Sequence, residues 1–160
     1  MNKAVVAIGG SSCCLAFYIA YDYQTRHPMR QMAPYKVSEA LIRLQNNLQG
    51  PILRLQGGVP LSELQTKYNG KDGNPTYFSA DGNIYDVSSS PMFQSSYSQW
   101  AGADATVSLA RMSLDPTDIN RTDYDALTEA DLKALNSWTN YFHQKYLIKG
   151  RLKEYDNYKR

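Results

Sequence analysis

Tyr97-Ser98-Gln99-Trp100-Ala101-Gly102-Ala103-Asp104-Ala105-Thr106 is the stretch on which the reading of this chain turns. A phenol, an indole, a glycine and a carboxylate fall close together between a strand-like hairpin and a helix-rich C-terminal third. Such a run suits a loop that cradles something flat. By itself it reads first as a helix start with two aromatics turned into the core, and the flanking sequence is what changes that reading.

Upstream, Asp81-Gly82 separates two β-prone runs, Thr76-Tyr77-Phe78-Ser79 and Asn83-Ile84-Tyr85-Asp86-Val87, which predicts a hairpin. Leu61 to Tyr68 reads as a short helix, followed by a turn-rich loop over residues 69–75. Downstream, a short helix to Met112 gives way to an acidic stretch with Asp115, Asp118, Asp123 and Asp125. Thr128 and Asp131 form a capping box, with Leu127 and Leu132 as its hydrophobic staple. Leu135, Trp138 and Phe142 then recur at helical spacing as a core face, as far as Lys145-Tyr146, with Gly150 as the expected stop. The basic residues 153–160 read as a peripheral tail.

The other end of the chain has a different character. Residues 4–21 carry no charge, and as a helix they rise about 27 Å, near the roughly 30 Å of a hydrocarbon core. Tyr18, Tyr21 and Tyr23 suit an interfacial aromatic belt. A cleaved signal peptide is the competing reading, but a cut after Ala20 would put bulky Phe17 or Tyr18 where a small residue belongs; a buried soluble helix is the third. A transmembrane anchor over residues 1–21 is the expectation. Gly9, Gly10, Ser11 and Ser12 would let another helix approach closely. Arg26, Arg30 and Lys36 follow the segment against Lys3 before it, which places the body on the cytosolic or mitochondrial matrix side. Residues 22–60 form a juxtamembrane segment. In it Ser38 caps a surface helix to about Gln49, with Leu41, Leu44 and Leu48 on the docked face, Arg43 on the other, and Gly50-Pro51 as the stop. Gly57-Gly58 reads as a hinge.

Composition excludes several classes of function. With 17 basic and 15 acidic residues among 160 there is no basic field for nucleic acid. Cys13 and Cys14 are adjacent and have no other cysteine to pair with, and His27 and His143 are remote from them, so neither a disulfide framework nor a zinc site is expected. Asp118, Asn120, Thr122 and Glu129 fit positions 1, 3, 5 and 12 of a calcium loop, but the glycine required at position 6 is Asp123. No nucleophile elbow, catalytic triad or phosphate-binding glycine loop is present, so the chain is not expected to be an enzyme.

Over about 90 residues, 61–152, the chain resembles the cytochrome b5-like domain of the membrane-associated progesterone receptor family. Glu63-Leu64, Tyr68-Asn69-Gly70, the run Asp81 to Val87, Tyr97 and Trp100 to Ala105 carry the first part of the resemblance. Leu114-Asp115, Tyr124 to Thr128, Leu135, Trp138, Phe142, Lys145-Tyr146, Gly150 and Leu152 complete it in order. It implies an α+β fold, a small mixed sheet with helices around a ligand pocket, behind one N-terminal transmembrane helix.

The resemblance also implies a haem b or steroid site in which a tyrosine phenolate is the single axial ligand, an option open to haem iron. The matching residue is Tyr97; Lys145 and Tyr146 would lie near the haem and favour the phenolate, and Trp100 joins them as a cofactor-binding candidate. The His-Pro-Gly-Gly loop of two-histidine cytochromes is absent. Residues 92–96, ahead of Tyr97, are shorter than the family loop by about three residues and lack its glycine and second tyrosine. The implied role is a non-enzymatic membrane-anchored module acting through membrane-protein partners in a hetero-oligomeric complex, at the endoplasmic reticulum or mitochondrial inner membrane. A structural accessory subunit of a large membrane complex, its pocket empty, is the alternative.

Overall fold

Asp81 and Gly82 take φ of 53° and 72°, the left-handed pair that a tight two-residue hairpin needs. They join β1 (Tyr77–Ala80) to β2 (Asn83–Asp86) in antiparallel register, with Phe78 opposite Tyr85. The computed structural model describes residues 18, 19, 21, 36–55, 57–156 and 158. The chain divides into two compact units, Met1–Leu41 and Ile42–Arg160. In the first, Tyr18, Ile19 and Tyr21 are helical and Tyr21 is exposed. The rest of the expected anchor lies outside the described residues. Among those described, no helix is long and apolar enough to cross a membrane.

The second unit is built on a three-stranded antiparallel sheet ordered β1-β2-β3, whose third strand, β3 (Leu147–Arg151), stands where Gly150 was expected to end a helix. Both strand pairings are antiparallel where a mixed sheet was expected; the parallel pairings, Val59 with Leu152 and Ser79 with Asp104, are isolated bridges outside it. Helix α1 (Val37–Leu55) precedes α2 (Leu61–Lys67); α3 (Thr106–Ala110) and α4 (Glu129–Lys145) follow the hairpin. The capping box of Thr128 and Asp131 opens α4 as expected. Phe78, wholly buried, lies at the aromatic centre, 4.7 Å from Phe93, 5.1 Å from Phe142 and 5.6 Å from Tyr85 between ring centroids.

Four expectations need correction. Helix α1 continues through Gly50-Pro51 to Leu55 instead of stopping near Gln49, so it tolerates the N–H that proline lacks. Its buried face is also the polar one: Leu41 and Leu48 are exposed, whereas Arg43 and Asn46 are buried. The physical reason lies at the end of α4. Asn46 donates through Nδ2 to the carbonyls of His143 (3.0 Å) and Tyr146 (2.9 Å), and its Oδ1 accepts from Ile148 N (2.9 Å). A helix C-terminus and a strand start leave backbone groups that must be paired when buried, and a leucine could not pair them.

Gly58 is a close approach where a hinge was expected, since a Cβ there would run into the backbone of Lys153. Beyond Leu152 the chain is packed where a peripheral tail was expected. Tyr155 is buried, its ring lies 4.7 Å from Tyr124, and its hydroxyl bonds Asp81.

The stretch 97–106 lies along the free edge of β1. Gly102 N donates to Tyr77 O (2.7 Å), Ser79 N to Ala103 O (2.8 Å) and Ala105 N to Ser79 O (2.8 Å). Gly102 has φ of 73° and sits so close to Asn69 and the Leu64 carbonyl that a side chain would collide. Asp104, wholly buried, accepts from Thr106 Oγ1 (2.7 Å) and Tyr124 OH (2.9 Å). Its backbone exchanges bonds with Asn120, N to Oδ1 and O from N, both 2.8 Å. Burial pushes its carboxyl up from 3.8 to about 6, against the hydrogen bonds from Thr106 and Tyr124 that pull it down.

Two outcomes are expected. A carboxyl whose pKa is raised on folding favours the fold while protonated, so this contribution is full below pH 3.8 and is lost as pH rises through about 6. Urea midpoints measured from pH 4 to 7 should therefore fall for the wild-type chain, and Asp104→Asn should flatten that slope, which corresponds to about 3 kcal/mol at most. Asn46→Ala removes the side-chain partner of three backbone groups, two of them in buried contacts, so it should cost roughly 3 kcal/mol in urea unfolding and speed exchange of the Ile148 amide.

Candidate functional site

Three segments meet at one cavity of about 440 Å³: the turns around Phe93 and Trp100, helix α3 with the loop after it, and the C-terminal half of α4. That volume is within the usual range for a small-ligand site. Tyr97, Trp100, Lys145 and Tyr146, all singled out in the sequence, line it together.

The first wall follows from local chain chemistry. Pro91–Gln94 forms a 3-10 turn with proline at its start, and Ser98–Trp100 forms a second. Between them Tyr97 N donates to Met92 O (2.9 Å), and Trp100 N donates to Tyr97 O (3.0 Å). The Tyr97 ring lies flat on the Trp100 indole, centroids 4.8 Å apart and planes 4° from parallel. Tyr97 is half-buried and its hydroxyl makes no hydrogen bond among the described residues, whereas Trp100 is buried. The short loop places Phe93 in the core, 6.1 Å from both Tyr97 and Tyr146.

The second wall hangs on the end of α4. Lys145 Nζ donates to Tyr141 OH (2.7 Å), one turn back, and sits 5.1 and 5.4 Å from the Tyr141 and Tyr146 ring centroids. The bond to Tyr141, ahead of the nearby phenols, holds the Lys145 ammonium above its ordinary pKa. The Tyr146 hydroxyl pairs with Ser90 Oγ (3.1 Å) in a buried contact. Asn46 holds the backbone that presents both residues.

Trp138 departs from the expected core face. Leu135 and Phe142 are buried, but Trp138 is 37% exposed at the cavity, stacked on Phe142 with centroids 5.9 Å apart. Sequence reasoning missed Tyr141, although its place four residues before Lys145 on a helix was a usable signal. It also missed Ser108 and Leu109, which nothing in the sequence marked as cavity residues.

The donor set fits a haem held by one phenol oxygen. Tyr97 offers that oxygen, Lys145 lies on the same cavity, and Phe93, Leu109 and Phe142 supply apolar walls. It does not fit two-histidine ligation: His143 does not line the cavity, and its Nδ1 shares a 3.0 Å hydrogen bond with Tyr85 OH. His27 lies outside the described residues.

No family model matches the chain. Among characterised proteins it is similar to probable steroid-binding protein 3 of Arabidopsis thaliana, 35% identical over 95 residues, which are 57% of this chain and 94% of that protein. Membrane steroid-binding protein 2 of Oryza sativa subsp. japonica is 36% identical over 104 residues, 62% of this chain but only 39% of the longer rice protein. Cytochrome P450 regulator dap1 of Schizosaccharomyces pombe is 36% identical over 95 residues, covering 54% of this chain and 57% of that protein. A solved Arabidopsis thaliana structure, described as having a cytochrome b5 like fold, superimposes with a TM-score of 0.54 at 28% identity, over 59% of this chain and 89% of that one. The sheet, the cavity and these likenesses agree with the motif series, and the chain belongs to the membrane steroid-binding, or membrane-associated progesterone receptor, family with its cytochrome b5-like α+β fold.

Proposed function

We propose that this chain is a non-enzymatic, membrane-anchored module that binds a flat apolar ligand of the haem or steroid class and acts through membrane-protein partners. The observation that carries the reading is the meeting of Tyr97, Trp100, Lys145 and Tyr146 on one cavity. Tyr97 is the residue to hold haem b, as the single oxygen ligand to iron. Lys145 supplies the cation that favours a phenolate, and Trp100 backs the tyrosine ring. Bound there, haem would supply a one-electron redox centre. Residues 1–21 form the anchor, 22–60 the juxtamembrane segment and 61–152 the binding domain. The membrane is that of the endoplasmic reticulum or the mitochondrial inner membrane, with the body on the cytosolic or matrix side. Support for membrane and partners comes from relatives described as membrane steroid-binding proteins and as a cytochrome P450 regulator.

A second reading, a structural accessory subunit in a hetero-oligomeric membrane complex with an idle pocket, is favoured by two features. The shortened loop buries Phe93 beside Tyr97, and the Tyr146 hydroxyl is held by Ser90.

Haem titration into the full chain in detergent separates the two. The expected result is a Soret band that Tyr97→Phe weakens at least ten-fold in affinity, an estimate for the loss of a sole axial ligand. If no Soret band forms and no steroid quenches tryptophan fluorescence, the binding reading is lost and the accessory reading stands. Alkaline carbonate extraction checks the anchor: the full chain should stay with membranes, and removal of residues 1–21 should release it.

A further inference from the structure

Besides Tyr21, the large apolar side chains exposed among the described residues form two sets. Met92, Met112, Leu114, Trp138 and Tyr141 line the cavity and belong to the site already described. Val37, Leu41 and Leu48 do not line it, and all three stand on α1, exposed by 49, 41 and 47%. Their spacing puts them on one side of a continuous helix, with half-buried Leu44 between them. Exposed apolar residues scattered singly are ordinary, but a row along one helix side marks a contact surface.

The helix cannot turn to hide this row. Asn46 fixes its rotation, through Nδ2 to the carbonyls of His143 (3.0 Å) and Tyr146 (2.9 Å) and through Oδ1 to Ile148 N (2.9 Å). A leucine brought to that place would strip those backbone groups of their partner. The polar side is therefore committed inward, with Arg43 and Asn46 buried, and the apolar side outward.

Charge and reach select a lipid surface over another helix as the occupant. A seam that pairs two helices ordinarily carries charges beside it, which set partner and orientation. Here Ser38, Gln45 and Asn47 flank the row, all exposed and uncharged. Glu39 is the one acid of α1 and is half-buried, whereas Lys36 is exposed just ahead of the helix, with Arg26 and Arg30 before it in sequence. The charge leading into the row is thus basic, the sign that anionic headgroups attract. Residues 22–35 separate the apolar segment 4–21 from Lys36. A stretch of that length spans about 50 Å at most, so a chain held by an N-terminal anchor keeps α1 near the bilayer.

We propose that the Val37, Leu41 and Leu48 side of α1 rests in the headgroup–acyl boundary of a membrane, with the helix lying along the surface. The proposal rests on residues 1–21 being an anchor and adds a second membrane contact to it. Because Asn46 bonds the junction of α4 and β3, this seat is joined directly to the backbone that presents Lys145 and Tyr146. The seat, and not the tether alone, then fixes how the binding domain is held at the membrane.

The test uses the full chain carrying Cys13→Ser and Cys14→Ser, reconstituted into phosphatidylcholine–phosphatidylserine vesicles with a nitroxide on the acyl chain just below the headgroup. A fluorophore is attached through Val37→Cys, Leu41→Cys, Gln45→Cys, Asn47→Cys or Leu48→Cys, one at a time. Nitroxide quenching and protection from aqueous iodide should both be at least about two-fold greater at positions 37, 41 and 48 than at 45 and 47, since a seated helix separates neighbours on its circumference. Leu41→Glu with Leu48→Glu, on a side the fold does not use, should lower quenching of the label at position 37 about two-fold, while the chain stays resistant to alkaline carbonate. Equal quenching at all five positions in a carbonate-resistant chain overturns the seat and leaves the anchor reading intact, as does undiminished quenching in the double glutamate variant. Iodide protection at 37, 41 and 48 without nitroxide quenching assigns this side to a second copy or another protein and also overturns the seat. Release of the chain by carbonate overturns the anchor reading, and the seat then stands or falls by the same helical period of quenching.

Discussion

The buried carboxylate of Asp104 is the constraint on which the site depends. Its two oxygens tie Thr106 at the start of α3 to Tyr124 in the 3-10 turn Tyr124–Ala126. Its backbone is paired with Asn120 in both directions. Around that knot the residues from Gly102 to Ala105 lie against β1 as an added edge, and the Tyr97–Trp100 stack stands at a fixed place beside the aromatic core. A carboxyl buried at such depth is tolerated because it is surrounded by donors. The cost of burying its charge appears as its raised pKa.

The opposite wall is held by the same kind of physics. Helix α4 has no glycine cap, and its last residues turn directly into β3. Asn46, about a hundred residues earlier in the chain, supplies the missing donors and acceptor. The preceding helix is therefore part of the architecture that presents Lys145 and Tyr146. The two halves of the cavity thus rest on two buried polar side chains, with hydrophobic packing of Phe78, Phe93 and Phe142 filling the space between them.

Much of this was legible in advance, for specific reasons. Asp81-Gly82 announced its hairpin because few residues adopt the left-handed conformations that such a turn demands. Thr128 and Asp131 announced the start of α4 because the capping box is a local exchange of two hydrogen bonds. Tyr97, Trp100, Lys145 and Tyr146 were found through the motif series of the family, and they share one cavity. Strand β3 was missed because Leu147-Ile148-Lys149-Gly150-Arg151 is a weak strand signal, made extended by pairing with β2 across a bulge between Ile84 and Tyr85. The buried face of α1 was inverted because its leucines suggested burial, while the requirement of distant backbone groups for a polar partner favoured Asn46.

By itself, then, the sequence determined what short-range chemistry controls: turn residues, caps, helical periodicity and an ordered set of motifs naming the α+β family fold. Only the tertiary structure decided which polar atoms are paired. It committed the hydroxyl of Tyr146 to Ser90 and the ammonium of Lys145 to Tyr141, and among the described residues it left buried Trp100 Nε1 and Ser108 Oγ without partners. The reason is physical. A hydrogen bond depends on distances of about 3 Å between groups far apart in sequence, and no local pattern of residues encodes those distances.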